Sequence, residues 1–367
     1  MTMSPESGGS RGPQRQRLAS YLLAGVATLL ALTACDIPTE LPELETRWVL
    51  PAEETRFGVD QLLPGAVSVT PDSSAFIVHI DAVTFSRTLG ELCPACAVAD
   101  GFMVPKPPFA ASIVSGVPFP AEVSAFEVLD GEVEFELVNG FNFDPIRPAD
   151  GVAGSLILTV TDDADGDVLG TLVVDGTDTS FGAGSTLTRT VVLQAGVFDG
   201  SLRATVDVDS PLGDPVTVDE DLSLAVTVTP RNIRLGGVTI EVAGRAVDLD
   251  DAQLDLEGVD PDITERLVEG AFVLDVDNPF AIAADFQISI SGPTITTIQK
   301  SVAIGPEPSS TLRIAFSNAE VRSFLGEPGV VLSGGAVVDH GMGSVTVRPT
   351  QELVLTVKLD LTVLIGG

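Results

Sequence analysis

The chain has 367 residues, which after removal of an export segment leaves roughly 330, room for two domains of about 150 each. Nineteen basic residues, three of them lysines, face 52 acidic ones for a formal net charge of −33. That field repels a phosphate backbone, excludes nucleic-acid binding and disfavours anionic lipid headgroups. An apolar fraction of 44% and a mean hydropathy of +0.35 exclude a disordered chain, and 36 glycines and 25 prolines point to many short strands.

Residues 1–34 read as an export signal. Arg11, Arg15 and Arg17 form a basic start, and the apolar run Leu18–Leu32 is shorter than the roughly 20 residues a membrane-spanning helix needs. The run ends in Leu32-Thr33-Ala34-Cys35, which resembles the lipobox of bacterial lipoproteins. That resemblance implies cleavage before Cys35, acylation of its thiol, and a membrane partner reached through an N-terminal lipid anchor. Asp36 leaves inner and outer membrane open. The expected location is exported and membrane-anchored, with the outer membrane favoured and the protein facing the periplasm or the cell surface. Residues 35–46, with two prolines and several acids, are expected to be the anchor and a flexible tether.

A first domain is expected over 47–232. Its early part carries a strand from Phe76 to Phe85 that includes His79, then Cys93-Pro94-Ala95-Cys96. In an oxidising envelope this pair most simply closes a small disulfide loop. Gly90, Pro94, Pro105, Pro107 and Pro108 predict a loop around it rather than the strand-to-helix setting of a redox pair. Ala97 stands where haem attachment needs histidine, and zinc lacks two further soft ligands. The segment Glu132–Leu137 alternates acid and hydrophobe, the period of a strand with one buried face.

Strands are expected from Ser155 to Val160 and from Val168 to Val174. Between them Asp162, Asp163, Asp165 and Asp167 surround Gly166. Carboxylates two residues apart suit a hard cation, so a structural calcium is the candidate cofactor, with a solvated hairpin tip as the alternative. Leu172 stands where a calcium-binding helix–loop–helix needs a glutamate. Turns are predicted at Asp165-Gly166, Asp175-Gly176, Asp199-Gly200 and Gly236-Gly237. Leu222, Leu224, Val226 and Val228 again repeat at two, and a domain boundary is placed near Pro230 to Leu235.

The second domain, 233–367, has capping-box signatures at Asp262-Ile263-Thr264-Glu265 and Ser317-Asn318-Ala319-Glu320. Its last strand sets Leu353, Leu355, Val357, Leu359, Leu361 and Val363 against Thr356, Lys358, Asp360 and Thr362. The segment Val273–Phe280 parallels Glu134–Phe141, each an alternating strand ending in Asn and followed two residues later by Phe, which suggests related halves. With Asn278-Pro279-Phe280 closing a strand, then a link and a strand to Gly292, the second half resembles the LEA type 2 (water stress and hypersensitive response) family. The resemblance implies a small β-sandwich and brings no catalytic residue.

Catalysis finds little support in the residues. His79 and His340, the latter beside Asp339, offer no nucleophile–base pairing. A carboxylate-pair glycosidase would want aromatic stacking, and past the signal only Trp48 accompanies the phenylalanines. Missing aromatic girdles and the Ile365-Gly366-Gly367 end count against a membrane barrel. The expectation is all-β: two antiparallel immunoglobulin-like β-sandwiches forming a non-enzymatic envelope module that binds a protein partner or serves a structural role. The alternative is a carrier of lipid or another apolar ligand in a cleft between sheets, favoured by apolar residues on both faces of Leu353–Leu364.

Overall fold

The structure, a computed structural model, describes residues 43–366; the export signal and Cys35 lie outside them. In chain order the strands begin with β1 (Leu44–Gly58), β2 (Val67–Val69), β3 (Phe76–Val78), β4 (Val83–Thr88), β5 (Met103–Pro105), β6 (Phe109–Val117) and β7 (Val123–Asn139). They continue with β8 (Ser155–Asp162), β9 (Val168–Asp175), β10 (Thr186–Leu193), β11 (Gly196–Asp199), β12 (Leu202–Ser210), β13 (Pro215–Thr217) and β14 (Ser223–Glu241). The remainder are β15 (Ala246–Leu254), β16 (Leu267–Asp277), β17 (Ala284–Ser291), β18 (Ile298–Ile304), β19 (Ser309–Phe316), β20 (Val330–Val338), β21 (Ser344–Val347) and β22 (Glu352–Ile365). All named strand pairs are antiparallel, as the short turns and two-residue periodicity require.

Two sandwiches of one topology result. In the first, β10-β7-β14 with β4 on the far edge of β14 faces β6-β12-β8-β9. In the second, β19-β16-β22-β1 faces β15-β20-β17-β18. Setting β7 on β16, β8 on β17, β9 on β18, β10 on β19, β12 on β20 and β14 on β22 superposes the two strand orders. The repeat glimpsed between Glu134–Phe141 and Val273–Phe280 is therefore the same strand and corner of two copies.

The match also shows where the expected domain limits fail. The second sandwich takes its edge strand from the start of the chain, since β1 pairs with β22 from Leu44↔Ile365 to Gly58↔Glu352. Leu44, Glu45 and Thr46, expected in the tether, already belong to that ladder, and the first sandwich is inserted between β1 and β15. The boundary sought at 232/233 lies inside one continuous strand, β14, and Gly236-Gly237 is no turn.

What the sequence marks there is a flip of face. Leu224, Val226 and Val228 are buried on even positions, but Ile233 and Leu235 on odd ones, with Asn232 in the left-handed region at φ 51°. Opposite, β7 changes from Phe126 and Val128 to Val133, Phe135 and Leu137 across the same level, where the β7–β14 register shifts. A one-residue slip sends every following side chain to the other side of the sheet. The ends of β7 and β14 beyond the slip pack with β11, β3 and β21 as a junction between the sandwiches.

Each sandwich is filled by phenylalanines. Phe316 packs edge-on against Phe272 and Phe324 in the second, the three ring centroids lying 4.9 to 5.9 Å apart, and Phe57 of β1 stacks on Phe280 at 5.5 Å. The inward Leu353–Val363 row is buried as its period predicts, and the apolar content on both faces follows from the central place of β22 between β1 and β16. The Ser317–Glu320 capping box forms at the helix Asn318–Phe324. The other helix starts earlier than expected, because Asp260 caps it and Pro261 takes its first position.

Candidate functional site

The most elaborate polar constructions occur at the equivalent corners. β7 ends at Asn139, which is fully buried. Its Nδ2 donates to the carbonyls of Phe143 (2.8 Å), Phe181 (2.7 Å) and Gly182 (3.1 Å), and its Oδ1 accepts from the Phe141 N–H at 2.9 Å. Asn278, just beyond β16, is equally buried and donates to Ile282 (2.8 Å) and Gly305 (2.9 Å), but its Oδ1 has no partner. In both copies one amide ties the corner to a loop arriving from elsewhere in the chain. Gly140 is required beside the first, since a Cβ there would lie 2.4 Å from the Ser223 carbonyl. These asparagines are structural pins, and the Asn-after-strand motif marks them in the sequence.

At the same end of the first sandwich, Cys93 and Cys96 are disulfide-bonded, with Cα atoms 5.1 Å apart and both residues buried. The expected loop is instead two helical turns, Leu89–Leu92 and Pro94–Val98. Thr88 and Glu91 form a reciprocal capping box, and Pro94 suits a first helical position. Thr-x-x-Glu ahead of a leucine was the signal that could have located this turn. Burial of both sulfurs fits a staple rather than a redox pair. Replacing Cys93 and Cys96 together by serine is expected to lower unfolding free energy by about 2 kcal/mol on the chain-entropy model. A urea titration of wild type with and without dithiothreitol should reproduce the same drop.

Next to the staple, β5 and β13 form a ribbon leading to Lys106, a lysine with no exposed surface. Its Nζ lies 2.6 Å from Ser210 Oγ and 5.2 and 5.7 Å from the ring centres of Phe109 and Phe143. Burial pushes the ammonium down to about 8, against a smaller upward pull from Asp209. A serine beside a lysine of lowered pKa is the pairing of a nucleophile with its base. Here Ser210 is itself buried and its hydroxyl donates to the Pro145 carbonyl at 2.6 Å, so the pair is sealed and spoken for. Sequence reading missed it, because nothing in Pro105-Lys106-Pro107 distinguishes a buried lysine from an exposed one.

The aspartate turn is placed as a hairpin tip between β8 and β9. Asp162 is buried, accepting from the Ala164 N–H at 3.0 Å and the Asp199 N–H at 3.2 Å. Asp163 pairs with Arg203 and Ser201, and Asp165 accepts from the Asp167 N–H at 3.0 Å. Gly166 takes the left-handed conformation of the turn, at φ 81°. Local donors thus engage the carboxylates of Asp162 and Asp163 and one oxygen of Asp165, and among the described residues no three metal-binding side chains converge.

On the outer face of the second sandwich, Asp360 is a buried carboxylate held by Arg47 from β1, through Nε (2.7 Å) and Nη2 (3.0 Å), and by Arg313 from β19. Arg47 foremost, with Arg313, holds it below the usual carboxylate range against the opposing effect of burial. His79 sits in the gap between β3 and β4, not within one strand as expected, and is exposed. A cleft of about 410 Å³ between the irregular middles of β1 and β15 is lined by Glu53, Glu54, Asp251, Asp255 and Glu257. A second, of about 580 Å³, lies at the junction against Asp60, Thr70 and Gln351.

No family model and no curated protein matches the chain. Among solved structures, it is similar to a protein of Parabacteroides distasonis described as secreted, at 9% identity and a TM-score of 0.31, over 86% of this chain and 99% of that one. It is also similar to the CBM22 tandem domain of Xyn10C from Paenibacillus barcinonensis, at 9% identity and a TM-score of 0.18, over 85% and 98%. At these TM-scores the two likenesses assign no function.

Proposed function

We propose that the protein is an exported, lipid-anchored envelope lipoprotein whose two sandwiches form a non-enzymatic structural or binding module. The observation that carries this reading is the duplicated topology together with the way the chain start is used. The segment that follows the Leu32-Thr33-Ala34-Cys35 motif becomes the edge strand of a full sandwich, so a membrane-held terminus would be joined to folded structure. The polar groups best suited to chemistry, Lys106 with Ser210 and the Asp162 turn, are each engaged in holding the fold. The buried Asn278 corner supports taking the second sandwich as a module similar to the LEA type 2 family.

The test is Cys35→Ser in the full chain expressed in a bacterial host, with fatty-acid labelling and membrane fractionation. Loss of label and release into the soluble fraction are expected. Unchanged membrane association of the variant would overturn the anchor.

A further inference from the structure

The strand that receives the chain from its N-terminal side ends in an uncovered apolar ledge. Leu44 and Ile365 stand directly opposite each other in the β1–β22 ladder, at 60% and 44% exposure. Both continue the core-facing rows of their strands: Leu44 that of Trp48 and Leu50, which pack against the core, and Ile365 that of Val363, which is buried. The row thus outruns the opposing sheet, and among the described residues no element covers its last pair. The irregularity in β16 between Leu267 and Glu269 adds Val268, 39% exposed, at the same end.

Cys35 lies nine residues before Leu44, so even a fully extended link keeps the ledge within about 32 Å of the acylated residue. Glu43 and Glu45 flank Leu44 and are exposed, which makes an anionic surface unfavourable and a zwitterionic one acceptable. We propose that this ledge seats on the bilayer surface beside the lipid anchor, with Leu44 and Ile365 entering the zwitterionic headgroup region. The proposal rests on the lipoprotein reading and adds a second, non-covalent contact to it. It also sets the molecule's orientation. The second sandwich is proximal, and the disulfide-stapled end of the first sandwich, beyond Ser223 of β14, is distal.

The only tryptophan, Trp48, allows a clean probe. The full chain carrying Trp48→Phe with Leu44→Trp is purified in its acylated form and inserted in phosphatidylcholine vesicles with or without brominated acyl chains. A parallel chain carries Trp48→Phe with Val98→Trp, at the exposed distal end. Far-UV circular dichroism matching the parent establishes that both are folded. The expected result is a blue-shifted emission that brominated lipid quenches for Leu44→Trp, no quenching for Val98→Trp, and loss of the Leu44→Trp quenching when Ile365→Asp is added. Equal emission from Leu44→Trp in brominated and plain vesicles, with the protein floating with the vesicles, would overturn the ledge while sparing the anchor. Protein that fails to float at all would overturn the anchor, and the ledge with it.

Discussion

Asn139→Ala is expected to destabilise the first sandwich by at least about 3 kcal/mol, and Asn278→Ala the second by less. Removing Asn139 leaves the carbonyls of Phe143, Phe181 and Gly182 and the Phe141 N–H without their partner in a site that water does not reach. Each buried polar group so abandoned costs about 1–3 kcal/mol, and partial relaxation keeps the sum below the simple total. Asn278 satisfies two carbonyls, and its own oxygen is already unpaired, so its removal forfeits less and relieves one penalty. Trp48 reports on the second sandwich through β1, whereas far-UV circular dichroism reports on both. Urea titration of Asn139→Ala should move the dichroism midpoint ahead of the tryptophan midpoint. Equal losses for the two alanine variants would refute the accounting.

Lys106→Met is expected to raise stability at neutral pH by about 2 kcal/mol. The lysine has an ordinary pKa of 10.5 when unfolded and about 8 in the fold, so the folded state favours the neutral amine. Above pH 10.5 both states hold it neutral and no penalty exists. As pH falls toward 8 the unfolded chain takes up a proton that the folded chain resists, and stability declines by about 3 kcal/mol, at 1.36 kcal/mol for each pH unit of difference. Below pH 8 both states are protonated and the loss is constant. Methionine keeps the stem packed between Phe109 and Phe143 and removes the charge, at the expense of the bond to Ser210, worth about 1 kcal/mol. Chemical denaturation from pH 7 to 10.5 should show wild-type stability rising across the upper part of this range, and the variant lacking that rise. A variant less stable than wild type at pH 7 would mean that the ammonium is well solvated where it sits.

The faces of strands were legible from residue period, and their partners were not. The alternation of Glu132–Leu137 and Leu353–Val363 stated which side chains enter the core, because a half-buried strand must alternate. The same pattern is silent on pairing. Leu44 meets Ile365 across almost the whole chain, so residues resembling a tether turn out to be an edge strand. Residues 230–235 suggest a break between two strands and hence between domains, yet a bulge in a continuous strand occupies the same place, as β14 shows. The Asn-x-Phe echo was real as position in the fold, although only two residues of eight coincide. Lys106 was invisible for another reason. Its burial is produced by Phe109, Phe143 and Ser210, and only the first lies nearby in sequence, so no local pattern announces the enclosure.

The pairing of β1 with β22 also decides how the molecule would bear tension. A pull on the chain upstream of Leu44, resisted anywhere in the first sandwich, is transmitted along β1 parallel to its length. Hydrogen bonds of an antiparallel ladder lie across the strands, so this geometry loads them in shear and together. A pull between Leu44 and Gly366 would start at one end, at the Leu44↔Ile365 pair, and open the ladder bond by bond. The described fold is thus mechanically stronger against a pull applied upstream of Leu44 than against one applied between Leu44 and Gly366.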